Sequence, residues 1–130
     1  MKRDIELMRE ILFAVEAEFD PLEIDDSKND AIKYHIALLI EAGLVKGVTN
    51  SSVSTITNIP DLAIARDLTW SGHEFLDSIR QEEVWNTLKK EFKESSFETL
   101  KSVGKQLAES FAKNKLEALL KNGSGSSSGP

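Results

Sequence analysis

A chain of 130 residues, 40% of them apolar and 29% charged, is the length of one small domain, and folding at that size removes roughly two-thirds of its accessible surface from water. It holds no cysteine, which excludes disulfide scaffolds and thiolate metal sites and fits a reducing, cytoplasmic setting. The net charge of −6 is unevenly spread: residues 1–60 carry six Lys/Arg against eleven Asp/Glu, 61–94 five against eight, and 95–130 five against three, so the cations that neutralise nucleic-acid phosphates are scarcest in the N-terminal half.

Met1-Lys2-Arg3-Asp4 leads straight into an amphipathic pattern, with neither the continuous apolar stretch of a signal peptide nor the about 20 apolar residues of a membrane span. Ile5, Met8, Leu12, Val15 and Phe19 recur at spacings of three and four and predict a first helix with one apolar stripe. Asp20-Pro21 is the expected stop, because the residue before proline is pushed out of helical geometry. A separate second helix must be squeezed between Leu22 and Asn29, and Ser27 or Asn29 are candidate caps for the helical stretch that follows.

From about Asp30 to Ala42 the pattern is helical again, with Ile32, Ile36, Leu39 and Ile40 in one arc and Gly43 as the C-terminal stop. Leu44 to Thr49 and Leu62 to Leu68 predict the two strands of a ribbon, with turn residues Asn50-Ser51-Ser52 and Pro60-Asp61 between them. Thr69 or Ser71 can cap a helix that buries Phe75, Leu76 and Ile79. A further helical pattern carries Val84, Trp85, Leu88 and Phe92. After Ser95-Ser96 a last amphipathic helix strings Leu100, Val103, Leu107, Phe111, Leu116, Leu119 and Leu120 into one stripe. Residues 122–130, rich in Gly and Ser, have nothing apolar to bury and predict a flexible tail.

The order helix, helical pair, two-stranded wing is that of winged helix-turn-helix domains. Tyr34-His35-Ile36-Ala37-Leu38-Leu39-Ile40-Glu41-Ala42-Gly43-Leu44-Val45 resembles the end of a winged-helix recognition helix. Leu68-Thr69-Trp70-Ser71-Gly72-His73-Glu74-Phe75-Leu76-Asp77-Ser78-Ile79-Arg80, with Val84-Trp85 beyond it, is similar to the signature of the bacterial and phage family called domain of unknown function 2513. The likeness runs from Met-Lys-Arg-Asp and Arg9-Glu10-Ile11-Leu12 to about residue 120. It implies a winged-helix fold and a phage or prophage context, and it supplies no activity or site residues; fold analogy is not function. The expected architecture is therefore α+β, mostly α: a winged-helix domain over 1–94, an amphipathic helix over 95–121 packed on the domain or on a second copy, and a tail over 122–130.

Catalytic and metal chemistry have little to stand on. His35 and His73 are the only histidines, and such sites need several convergent groups. His35 is expected half-buried and His73 in the first turn of its helix. Asp25-Asp26 and Glu82-Glu83 are adjacent pairs that point apart on a helix and suit helix N-termini. Trp70 and Trp85 could stack on bases, but an aromatic at a strand-to-helix junction or on an apolar helical stripe belongs in the core. No catalytic residue, metal, cofactor or small-molecule substrate is expected.

At 100° per residue the arc opposite the core face of the 30–42 helix carries Asp30, Tyr34, Ala37, Leu38 and Glu41, flanked by Lys33. Only Lys28, Lys33 and Lys46 supply cations nearby, whereas DNA readers present Arg, Lys, Asn or Gln to bases and phosphates. Lys28, Lys33, Tyr34, Ala37, Leu38 and Lys46 form the candidate DNA- or partner-binding surface. The leading expectation is a non-enzymatic, weakly DNA-associated regulator; the alternative is a module that binds a host or phage protein through the apolar strip Tyr34, Ala37 and Leu38. In either case the helix within 97–121 is a candidate homodimer contact. Its alternating Lys and Glu argue against a membrane-lying role.

Overall fold

The computed structural model describes residues 1–50 and 59–128, with side chains described as far as Asn122. The chain is α+β and mostly helical: helix α1 (Ile5–Glu16), two short 3-10 turns at Pro21–Glu23 and Asp26–Lys28, α2 (Asn29–Glu41), strands β1 (Val45–Thr49) and β2 (Ala63–Leu68), then α3 (Trp70–Arg80), α4 (Glu82–Glu91) and α5 (Phe97–Ser128). It divides into two units, Met1–Asp77 and Ser78–Pro130. Within the second unit α4 packs on α5.

In the first unit, Asp4 starts α1 by accepting hydrogen bonds from the N–H groups of Glu6 (2.9 Å) and Leu7 (3.2 Å), two of the donors a helix start leaves unmatched. Ile5, Met8, Leu12 and Val15 are buried as their spacing predicts, whereas Phe19 is 47% exposed. The helix ends before the proline can act on it. Glu18 adopts φ 59° and the Phe19 N–H reaches back to the Ala14 carbonyl at 2.9 Å, a left-handed closure that swings Phe19 off the stripe.

The predicted short helix is realised as the two 3-10 turns, and neither Ser27 nor Asn29 caps α2: Lys28 holds that position without a side-chain bond. Asp25 instead caps the second turn, accepting from the Ser27 hydroxyl (2.6 Å) and N–H (2.9 Å). Those two bonds hold its carboxyl below the usual value. At the other end of α2, Gly43 takes φ 77° while its N–H bonds Ile40 (3.0 Å) and the Leu44 N–H bonds Leu39 (3.0 Å), so the expected glycine stop is present.

β1 and β2 pair antiparallel, Val45 with Leu68, Gly47 with Ala65, Val48 with Ile64 and Thr49 with Ala63, and a bulge at Lys46/Gly47 leaves Arg66 without an opposite number. Val45, Ala63 and Leu68 face the interior with Ile36, Leu39, Met8, Leu12 and Phe75, all buried. Alternation sends Val48 and Ile64 outward. Of the turn residues expected between the strands, Ser51 and Ser52 lie outside the described residues, which resume at residue 59.

In the second unit, Val84, Trp85, Leu88 and Leu100 are buried, the Lys89 ammonium lies 5.8 Å from the Trp85 ring centroid, and Ser96 caps α5 by accepting from the Thr99 N–H at 3.2 Å. The α5 stripe is not continuous. Leu100 is buried and Val103, Leu107 and Phe111 half-buried, but Leu116, Leu119 and Leu120 are 55–61% exposed. At 100° per residue these three point roughly 170° away from the Leu100–Phe111 face, because the step from Phe111 to Leu116 is five residues rather than three or four. The helix itself continues to Ser128, past the Asn122 limit set by composition; extending a formed helix needs no new nucleus.

Candidate functional site

The predicted surface lies wholly in the first unit. Lys28 is exposed at the end of the second 3-10 turn, Lys33, Tyr34, Ala37 and Leu38 are half-buried on α2, and Lys46 is exposed on β1. Tyr34 packs edge-to-face on His35, with ring centroids 5.4 Å apart and planes at 81°, so part of the expected apolar strip is occupied in holding α2 together.

His35 is 1% exposed, not half-buried. Its Nε2 accepts the Asp4 N–H at 2.8 Å and Nδ1 lies 2.7 Å from the Ala31 carbonyl. A backbone N–H can only donate and a carbonyl can only accept, so the ring is the neutral Nδ1–H tautomer. It ties α2 to the start of α1, and both nitrogens are in use. His73 is exposed on α3. Among the described residues no group of three or more His, Asp or Glu is placed to hold a metal ion.

Sequence reasoning missed the most prominent feature. Trp70, assigned to the core, is 80% exposed, while Trp85 is buried as expected. The junction is closed by the residue before Trp70: Thr69 donates its hydroxyl to the Gly43 carbonyl (2.6 Å) and its N–H to the Leu44 carbonyl (2.9 Å), and its hydroxyl accepts from the Gly72 N–H (2.9 Å). Leu68 plugs the core beneath, and Trp70, the first residue of α3, turns outward. The signal was available. A Thr that caps at the junction fixes the phase of the helix, and that phase puts the next residue outside.

The outward face of the ribbon continues this exposed character. Val48, Leu62 and Ile64 are 42–44% exposed, with Lys46 and Arg66 exposed beside them.

With this geometry in view, the comparisons define the class. The family model described as "Hypothetical protein (DUF2513)" matches residues 2–98, and the chain belongs to that family. It is 36% identical over 115 residues to an uncharacterized protein of Haemophilus influenzae, the match covering 84% of this chain and 93% of that protein. No solved structure matches. Among the described residues no helix is long and apolar enough to cross a membrane.

Proposed function

We propose that the protein is a non-catalytic, cytoplasmic binding module of winged-helix type, working in the phage or prophage setting that the family resemblance implies, and that its partner is a protein. The observation that carries this reading is the 80% exposure of Trp70. Covering a ring of roughly 200 Å² is worth up to about 4 kcal/mol, and tryptophan is the side chain most enriched among residues that dominate protein interfaces. The order of helices and ribbon supports the winged-helix assignment. The net charge of −6 and the half-buried Lys33, Tyr34, Ala37 and Leu38 favour protein over nucleic acid, since phosphate binding scales with available cations.

The test is affinity capture from host lysate with and without nuclease, using the wild type, Trp70→Ala and the double variant Lys33→Glu/Lys46→Glu. A protein retained after nuclease and lost with Trp70→Ala supports the reading; a captured set unchanged by Trp70→Ala refutes it. DNA association remains the second reading because Lys46 and Arg66 are exposed on the ribbon. It requires salt-sensitive retention of duplex that the Lys double variant abolishes. Self-association is assigned to the exposed Leu116, Leu119 and Leu120 of α5: sedimentation should give a lower mass when all three are changed to Lys, and an unchanged mass removes the dimer.

A further inference from the structure

An open groove of about 460 Å³ runs between the end of α1 and β2, within the first unit. One wall is Val15, Phe19 and Leu22 with the carboxylates of Glu18 and Asp20; the other is the β2 stretch Ala63 to Arg66. Phe19 and Ile64 stand beside it, 47% and 42% exposed.

The ladder tells which way the β2 backbone faces. Asn50 N–H bonds the Leu62 carbonyl at 3.2 Å and Thr69 N–H bonds the Leu44 carbonyl at 2.9 Å. Antiparallel pairs alternate between bonded and non-bonded positions. Counting inward from both anchors, through the bulge, makes Val48 with Ile64 a bonded pair and Gly47 with Ala65 a non-bonded one. The N–H and C=O of Ala65 therefore point away from β1, on the groove side, and Ala65 is half-buried. Among the described residues the sheet has two strands, so this edge of β2 has no strand beside it there, a template for a further strand.

We propose that this groove receives an extended peptide segment of a partner protein, which adds to β2 as a third strand, bonds the Ala65 main chain, seats an apolar side chain between Phe19 and Ile64, and sets a basic residue against Glu18 and Asp20. An added strand matches edge main-chain groups and takes its specificity from alternate side chains; a helix cannot reach the Ala65 groups with its own backbone, which is already bonded internally. Nucleic acid is disfavoured because the lining holds two acidic residues, Glu18 and Asp20, against one cation, Arg66. The contact goes beyond the Trp70 surface: it does not use Trp70 and shares with the exposed ribbon face only Ile64 and Arg66.

The probe is the N-acetylated, amidated heptapeptide Lys-Val-Thr-Phe-Thr-Val-Lys, titrated into the full chain by calorimetry. Saturable binding is expected, with slowed hydrogen exchange at the Ala65 amide. Ala65→Pro deletes the outward donor while sparing the ladder to β1, since proline is tolerated on an edge strand when its nitrogen faces away from the partner. It should raise Kd at least about ten-fold, and Glu18→Lys should also weaken binding. Trp70→Ala should leave the heptapeptide affinity unchanged, which separates this site from the function proposed above. Absence of saturable binding, an Ala65 amide whose exchange is unaltered in the wild type, or equal affinity in a folded Ala65→Pro chain overturns the proposal.

Discussion

Substituting alanine at Gly72 and at Gly104 should move stability in opposite directions. Both glycines are buried on helices, and in a helix interior the change to alanine is worth about 1 kcal/mol in favour of folding. At Gly72 a β-carbon would collide with the backbone carbonyl of Leu44, a group that cannot swing aside because it accepts the Thr69 N–H at 2.9 Å. Overpacking of this kind costs about 1–3 kcal/mol. Displacing α3 also strains the Thr69 bonds to Leu44 and Gly43, at about 1 kcal/mol each, so the net loss is about 2–4 kcal/mol. At Gly104 the β-carbon would rest 3.5 Å from Leu88 Cδ1, 3.9 Å from Ser78 Cβ and 4.0 Å from Ile79 Cγ2, ordinary contact distances, so the helix preference acts unopposed and the gain is about 0.5–1 kcal/mol. At roughly 4 °C per kcal/mol for a chain of this size, thermal unfolding followed by circular dichroism should show Gly72→Ala about 8–15 °C below wild type and Gly104→Ala about 2–4 °C above. A Gly72→Ala midpoint within 2 °C of wild type would refute the argument that α3 needs a bare backbone against Leu44.

The two tryptophans should separate equally well: Trp85→Ala loses about 3–5 kcal/mol in urea unfolding, Trp70→Ala less than about 0.5, and the reverse order would invert their assigned places. His35→Phe keeps the ring volume but strands the Asp4 N–H and the Ala31 carbonyl, so it should cost about 1–3 kcal/mol; a neutral outcome would mean water serves both groups as well. Because Ser27 holds the Asp25 carboxyl below the usual aspartate value of 3.8, the folded state binds that proton less readily than the unfolded chain. Its contribution is therefore full above that value and fades as pH falls through the depressed one. Carbon-detected titration should find the Asp25 midpoint below 3.8, rising toward it in Ser27→Ala, and a midpoint at or above 3.8 in the wild type contradicts the two-bond cap.

Much of the backbone was legible because it is written in local chemistry. The stripe of Ile5, Met8, Leu12 and Val15, the glycine stop at Gly43 and the capping residues Thr69 and Ser96 each act within a few residues of their own position, and the structure bears them out. The end of α1 was misread because the left-handed turn at Glu18 acts before Pro21, and no glycine marks it. Of the predicted surface, Lys28 and Lys46 stand free to solvent while Lys33, Tyr34, Ala37 and Leu38 share their area with the fold.

What the order of residues determined by itself was which segments are helix or strand and which of their faces are apolar, because both follow from periodicity and from caps a few bonds away. Only tertiary structure decided which apolar side chains are covered. Trp70 and Trp85 have the same chemistry, yet one stands in water and the other is buried, and the difference lies in hydrogen bonds from Thr69 to Gly43 and Leu44, about 25 residues distant in the chain. The groove along β2 likewise exists because a turn at residue 18 and a strand at residue 64 meet in space, a proximity that burial of the common interior creates and that no local pattern encodes.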